Sequence, residues 1–296
     1  MCYRPIFLLK KAGVSCPAYE VPCGKCLSCI RKASFQWSER MIMEARYCGF
    51  DNCCFLTLTY DDDVLEKRNE VLNLSKVHMQ KFFKRLRKRL RKDGIFVRYF
   101  YCGEYGDKTF RPHYHLLLFG VSVDHPIFFD DVRRVVTKKG WSLRLKSWKY
   151  GFVHLSFSVG QGTFYYVCQY MMNDTPERRK MLKAMGLAPE FRLMSRNPGL
   201  GRFELEKNLL RYMEKPVTVR KIDDLHREII WHSRYVEGVL YPEGIFFDER
   251  KILKDSVKND LLLSDLQLAD ERGMLYGDFI REMRHQEECN LKGKKK

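Results

Sequence analysis

No stretch of this 296-residue sequence approaches the run of ~18 apolar residues that a membrane-spanning helix needs. The opening is equally poor in apolar length. Its run Ile6-Phe-Leu-Leu9 is too short for the hydrophobic core of a secretory signal. An even set of cysteines is missing too. Eleven thiols with no export signal argue against a disulfide framework and for a reducing cytoplasm. Internal repeats and low-complexity tracts are absent. Acidic residues are scarce beside basic ones, 37 against 54, which leaves a net charge of +17. Such an excess points to a polyanionic partner, because cations that neutralise phosphates release condensed counterions. General solubility or attachment to a membrane surface would explain the charge, but less well its clustering. A hydrophobic content of 45% with 14% aromatics excludes a disordered chain.

The pattern along the chain alternates between strands and helices. Ile30, Ala33, Trp37 and Met41 recur at helical spacing. Cys54 to Tyr60 reads as a strand, stopped by Asp61, Asp62 and Asp63. Ser75 is the expected N-cap of a helix whose apolar stripe is Met79, Phe82, Phe83, Leu86 and Leu90. Residues 95–102 and 113–119 form the second and third strands, joined as a hairpin. Residues 126–139 are expected to be helical, 152–158 a fourth strand, and 163–173 a helix. This order predicts an α+β fold, an antiparallel sheet of split βαβ, ferredoxin-like type with helices packed on one face and helical extensions. Three segments are expected: a Cys-rich segment and helix at 1–49, a catalytic core at 50–215, and a charged, mostly helical extension at 216–296.

The chemistry concentrates at Arg111-Pro-His113-Tyr-His115. Residues two apart in a strand face the same way, so His113 and His115 present both imidazoles on one face. Tyr114, Leu116 and Leu118 then point to the other, toward the core. Glu104 ends the preceding strand, where the hairpin brings a carboxylate beside the two imidazoles to complete a metal site with open positions. Two half-exposed histidines and a surface glutamate are the simpler alternative. Tyr166 and Tyr170, four apart on a helix, share a face. A tyrosine can attack a phosphodiester and hold the 5′-phosphate covalently. Tyrosines at this spacing also commonly pack helix to sheet. The crowd of cations on the helix after Ser75, including Lys84, Arg85 and Lys88, suits a phosphate backbone, with Arg98, Tyr99 and Tyr101 beside it; a solvated face is the alternative.

Cys23, Cys26 and Cys29 form a compact thiol cluster that suits structural zinc, with Cys2 or Cys16 as a fourth ligand. An iron–sulfur cluster fits less well, since Ala33 stands where a ferredoxin run places its next cysteine. Simply buried cysteines are a further alternative.

Together these stretches resemble the HUH endonucleases that start rolling-circle replication, and above all the replication initiators of microviruses of the gokushovirus-like branch. The resemblance rests on Val21-Pro-Cys-Gly-Lys-Cys-Leu-Ser-Cys29, Phe55-Leu-Thr-Leu-Thr-Tyr60, Gly103-Glu-Tyr-Gly106, Arg111 to His115, Tyr166 to Tyr170, and Met194-Ser-Arg-Asn-Pro-Gly-Leu-Gly201. It spans roughly residues 1–215. It implies His113 and His115 as ligands of a divalent metal (Mg²⁺ or Mn²⁺), Glu104 as the third, Tyr166 and Tyr170 as nucleophiles, and Arg111 among the DNA contacts. It further implies origin single-stranded DNA and host replication proteins as partners, in the bacterial cytoplasm and not at a membrane. One departure stands out. The phage initiators carry a lysine three residues after each tyrosine, whereas this chain has Gln169 and Asn173. A non-catalytic single-stranded nucleic-acid-binding protein on the same fold is therefore the competing expectation. An iron oxygenase with two histidines and a carboxylate is a more distant one.

Overall fold

The computed structural model describes residues 5–8, 19–70, 72–137, 140–156, 159–173, 175–214, 217–221, 227–231, 236, 239 and 262–293. The chain forms two compact units, Ser34–Asn208 and a second composed of Met1–Ala33 with Leu209–Lys296. Helix α1 (Leu27–Cys48) begins in the second and continues into the first.

Unit Ser34–Asn208 is built on a seven-stranded antiparallel sheet. Its strands are β3 (Cys53–Tyr60), β4 (Arg98–Tyr105), β5 (Pro112–Phe119), β6 (Val132–Thr137), β7 (Gly140–Leu145), β8 (Gly151–Ser156) and β9 (Phe191–Met194). Their order across the sheet is β6-β7-β8-β3-β5-β4-β9. The α+β class expected from the strand–helix order is the one observed. The central strands β8-β3-β5-β4 form the split βαβ arrangement, in which α3 (Lys76–Leu90) links β3 to β4 and β5 lies between them.

Side-chain alternation divides the sheet into two faces. On the first, Leu56, Leu58, Tyr114, Leu116 and Leu118 join the buried stripe of α3, Met79, Phe82, Phe83, Leu86 and Leu90, in one core. Each such side chain contributes about 1.5–3 kcal/mol on full burial. Ser75 caps α3 as expected, its hydroxyl accepting from the His78 amide at 3.2 Å. The Tyr114 hydroxyl meets that of Tyr60 at 2.7 Å and accepts from the Ser75 amide at 2.7 Å, which ties β5 to the start of α3.

The second face carries helices as well, so the covering is two-sided rather than confined to one face. Trp37 of α1 packs on Phe100, and Phe164 of α5 (Gln161–Gln169) packs on Phe119. The hydroxyl of Ser34 donates to the Cys168 carbonyl at 2.7 Å and holds the two helices together. Buried Glu44 of α1 accepts from Arg98 Nε at 2.5 Å and from the Gly201 amide at 2.7 Å. The loop Pro198–Gly201 docks here. Gly201 has φ +82°, and a Cβ on it would meet the Arg40 carbonyl at 3.1 Å and Met43 at 3.2 Å.

One expected helix is corrected. Residues 126–139 were expected to be helical, but the helix stops after Ile127–Asp130 (α4), and Val132–Thr137 forms β6 in a hairpin with β7. The β-branched Val132, Val135 and Val136 favour extended backbone. The buried carboxylate of Asp131, held by Lys146 Nζ at 2.9 Å, closes the hairpin base. Lys139, Ser158 and the last three lysines lie outside the described residues, as do Cys2 and Cys16.

In the second unit, β1 (Ile6–Leu8) pairs antiparallel with β2 (Tyr19–Val21), and β10 (Val217–Lys221) with β11 (Arg227–Trp231). A further helix spans Tyr276–Gly293. Among the described residues no helix is long and apolar enough to cross a membrane.

Candidate metal centre and tyrosine pair

The register of β4 and β5 places Glu104 directly opposite His113 and Cys102 opposite His115. Cross-strand partners share a face, so the carboxylate and both imidazoles converge as the hairpin reading requires. Glu104 Oε1 lies 2.8 Å from His113 Nε2 and 3.2 Å from His115 Nε2. Each ring is oriented from behind. His113 Nδ1 is 3.1 Å from the Arg111 carbonyl, and His115 Nδ1 is 3.2 Å from the Thr57 hydroxyl. Both Nε2 atoms are thereby turned to the carboxylate. Such outer contacts fix tautomer and aim in metal sites.

The electrostatics fit a cation. Burial pulls the His113 imidazole down, but hydrogen bonding to Glu104 and to the Arg111 carbonyl outweighs it and leaves His113 above its usual value. Burial dominates at His115, which stays below its usual value despite Glu104. Burial alone would raise Glu104; the hydrogen bonds from both histidines outweigh it and keep the carboxyl below the usual range. Glu104 Oε2 is buried without a hydrogen-bond partner. One ligand atom from each of the three residues falls within 4.8 Å of the others. A buried carboxylate oxygen with no donor and two aligned imidazoles are a donor set for a divalent ion.

The tyrosines lie on the same side. Tyr170 stacks on His115 with ring centroids 4.0 Å apart, and Tyr166 meets the same ring edge-on at 6.3 Å. The Tyr170 hydroxyl donates to Tyr166 Oη. Burial, then this hydrogen bond, pushes the Tyr170 phenol well above its ordinary value. Tyr166 is 46% exposed. Gln169 is exposed on α5, between the two tyrosines.

The expected nucleic-acid contacts separate from this centre. Lys84, Arg85 and Lys88 sit on α3, which covers the opposite face of the sheet, so the structure does not bring them to the metal ligands. Arg85 Nε is bonded to the Ser147 carbonyl at 2.8 Å. Arg98 is committed to Glu44 and, through Nη2, to the Pro198 carbonyl at 2.8 Å. Arg111 bonds Asp62 at 2.8 Å and the Tyr60 carbonyl at 2.6 Å. A cleft of about 510 Å³ at the other end of β4 gathers Arg87, Arg91 and Arg196 around exposed Phe96 and Tyr99.

Three residues of the centre escaped the sequence reading. Thr57 is in register with His115 on one side and with His154 on the other. Across β4, Cys102 pairs with Arg192 of β9. Arg192, Cys102, His115, Thr57 and His154 therefore form one row across five strands, all on the ligand face. Arg192 and His154 are the exposed ends of the row. Strand alternation carries a signal for each residue singly, but their alignment depends on long-range register.

Residues 53–175 match a family model of viral replication-associated proteins of the ORF2 type. The chain is 32% identical over 209 residues to replication-associated protein ORF2 of Spiroplasma virus 4, covering 68% of this chain and 62% of that protein. It is 31% identical over 160 residues to replication-associated protein ORF4 of Chlamydia phage 1, covering 52% and 38% respectively. With replication-associated protein VP4 of Bdellovibrio phage phiMH2K it shares 31% identity over 156 residues, covering 47% and 46%. The chain thus spans less than two thirds of the length of each of these relatives. No solved structure is a significant match. These matches bear out the resemblance to microvirus replication proteins drawn from the motifs.

Proposed function

We propose that this relative of phage replication-associated proteins starts viral DNA replication by nicking and rejoining single-stranded DNA at an origin, through a 5′-phosphotyrosine intermediate. The observation that carries the reading is the shared sheet face of Glu104, His113 and His115 with the stacked Tyr170 and its partner Tyr166. A divalent ion, Mg²⁺ or Mn²⁺, held by the three ligands supplies the charge that polarises the scissile phosphate. Glu104 and the two Nε2 atoms fix its place, and Thr57 and the Arg111 carbonyl hold the rings in line.

Tyr166 is the first nucleophile in this reading, because it is the more exposed phenol and the one that receives a hydrogen bond. Its Oη forms the new bond to phosphorus as the bond to the 3′ oxygen breaks. The phenol loses its proton, and the departing oxygen gains one to become the 3′-OH that primes synthesis. Tyr170 donates to the attacking oxygen, which stabilises charge developing there, and remains available to accept a second strand end. Arg192 supplies the positive charge that lysines bring elsewhere, while Gln169 offers a hydrogen bond without charge. Residues 50–215 act as the catalytic core, flanked by segments 1–49 and 216–296. The basic cleft at Arg87, Arg91 and Arg196 guides the strand, with Phe96 as a stacking surface. The setting is the cytoplasm of the bacterial host, where host replication proteins extend the 3′-OH.

Gln169 and Asn173 favour a second reading, a binding protein without catalysis. Full-length protein incubated with origin single-stranded DNA and Mg²⁺ or Mn²⁺ separates the two. Nicking that disappears in His113→Ala supports the first reading. Binding unchanged by His113→Ala, with no cleavage under either metal, supports the second.

A further inference from the structure

We infer that Cys23, Cys26 and Cys29 hold a structural zinc ion, with Cys2 as the fourth ligand. The three sulfurs lie within 4.8 Å of one another. Tetrahedral zinc with bonds of about 2.3 Å sets its sulfurs about 3.8 Å apart, so only small side-chain rotations are needed. The backbone already wraps the first sulfur. Cys23 Sγ accepts from the amides of Cys26 at 3.3 Å and Lys25 at 3.4 Å. Gly24, at φ +71°, makes that turn and leaves open space where a Cβ would stand. Amide donors aimed at sulfur favour thiolate over thiol, since a neutral thiol is a weak acceptor.

The other two cysteines open α1. The Cys26 carbonyl accepts from the Ile30 amide at 3.0 Å, and Cys29 lies in the first turn. A helix N-terminus stabilises negative charge, yet the first turn of α1 contains no acidic residue. Two thiolates supply that charge instead. Core cysteines of this chain look different: Cys54, Cys102 and Cys168 are buried, and burial pushes their thiols up. Cys23, Cys26 and Cys29 are only half-buried.

The β1–β2 hairpin chooses the fourth ligand. Ile6 pairs with Val21, two residues before Cys23, so the chain preceding Ile6 leaves the hairpin at the Cys23 end. Cys2 is four residues from Ile6, a reach of up to about 13–14 Å. Cys16 enters at the opposite end, where Leu8 pairs with Tyr19. To reach Cys23 it would have to double back along the whole of its own strand. The ion would fasten the hairpin to the start of α1, whatever reaction the rest of the chain performs.

Cobalt substitution of the full-length protein tests this, because a thiolate-to-cobalt charge-transfer band cannot come from the Glu104, His113 and His115 set. The wild type should contain stoichiometric zinc and, with cobalt, show that band together with tetrahedral d–d bands. Cys2→Ser should weaken the band at least severalfold, and Cys16→Ser should leave it intact. A wild-type protein with no thiolate band, or one carrying an iron–sulfur chromophore, overturns the site. A band untouched by Cys2→Ser overturns the choice of fourth ligand.

Discussion

The ring of Tyr170 lies flat on the imidazole of His115, with centroids 4.0 Å apart and planes 6° from parallel. Through this contact the end of α5 is registered against β5, so the phenol pair and the metal ligands are positioned by one another. The hydrogen bond from Tyr170 to Tyr166 extends that registration to the exposed phenol.

Thr57 turns His115 toward Glu104 without touching the cation site itself. Replacing its hydroxyl by a methyl in Thr57→Val should lower Mn²⁺ affinity about 10–100-fold, the usual cost of losing an outer contact to a metal-bound histidine. Thr57→Ser should retain most of it. Calorimetric titration with Mn²⁺ measures both, and equal affinities for wild type and Thr57→Val would remove Thr57 from the centre.

Metal binding should weaken as pH falls. An imidazole must be neutral to bind a metal, and in the metal-free protein Glu104 and the Arg111 carbonyl raise His113 above its ordinary value. Protons therefore compete at His113 from a pH above the ordinary histidine value of about 6.5 downward. Glu104, held low, remains ionised throughout that window. Mn²⁺ titrations across pH should show affinity declining on the alkaline side of an ordinary histidine; a flat profile down to the carboxylate range would contradict the ligand assignment.

Arg192 stands on the ligand face at one end of the row through Cys102 and His115. If it replaces the missing lysine charge, Arg192→Ala should slow strand cleavage roughly 10²-fold, as loss of a charge-stabilising donor does. Arg192→Lys should recover much of the rate. Single-turnover cleavage at saturating DNA reads this directly, and an unchanged rate in Arg192→Ala would return the role to another cation.

Arg98 offers the opposite case. Its guanidinium neutralises buried Glu44 and bonds the Pro198 carbonyl. Arg98→Ala leaves an uncompensated buried carboxylate and should cost about 3–5 kcal/mol of stability, visible in chemical denaturation. A variant of full stability with weakened DNA binding would instead restore Arg98 to the DNA contacts.

The metal centre was legible because it needs only local rules. Period-two alternation aims His113 and His115 together, and a hairpin brings Glu104 opposite His113. The helix at Ser75 was equally readable from its cap and apolar stripe. What escaped depends on distant pairing. Nothing near Arg192 tells that β9 joins the edge of β4, and nothing near Lys84 or Lys88 tells which face of the sheet α3 covers. Arg98 reads as a surface cation until Glu44 arrives from a helix fifty residues away. The stretch after Asp130 carries apolar residues at near-helical intervals, and only its pairing with β7 decides for strand.

The central claim is that Tyr166 attacks the phosphodiester beside the Glu104, His113 and His115 centre. Protein reacted with origin single-stranded DNA and Mn²⁺, denatured, digested and analysed by mass spectrometry should yield a nucleotide-bearing peptide modified at Tyr166. That adduct should be absent from Tyr166→Phe and from wild type stripped of metal, and slower by about tenfold in Tyr170→Phe, which loses one hydrogen bond. An adduct that still forms in the Tyr166→Phe, Tyr170→Phe double variant would contradict the account.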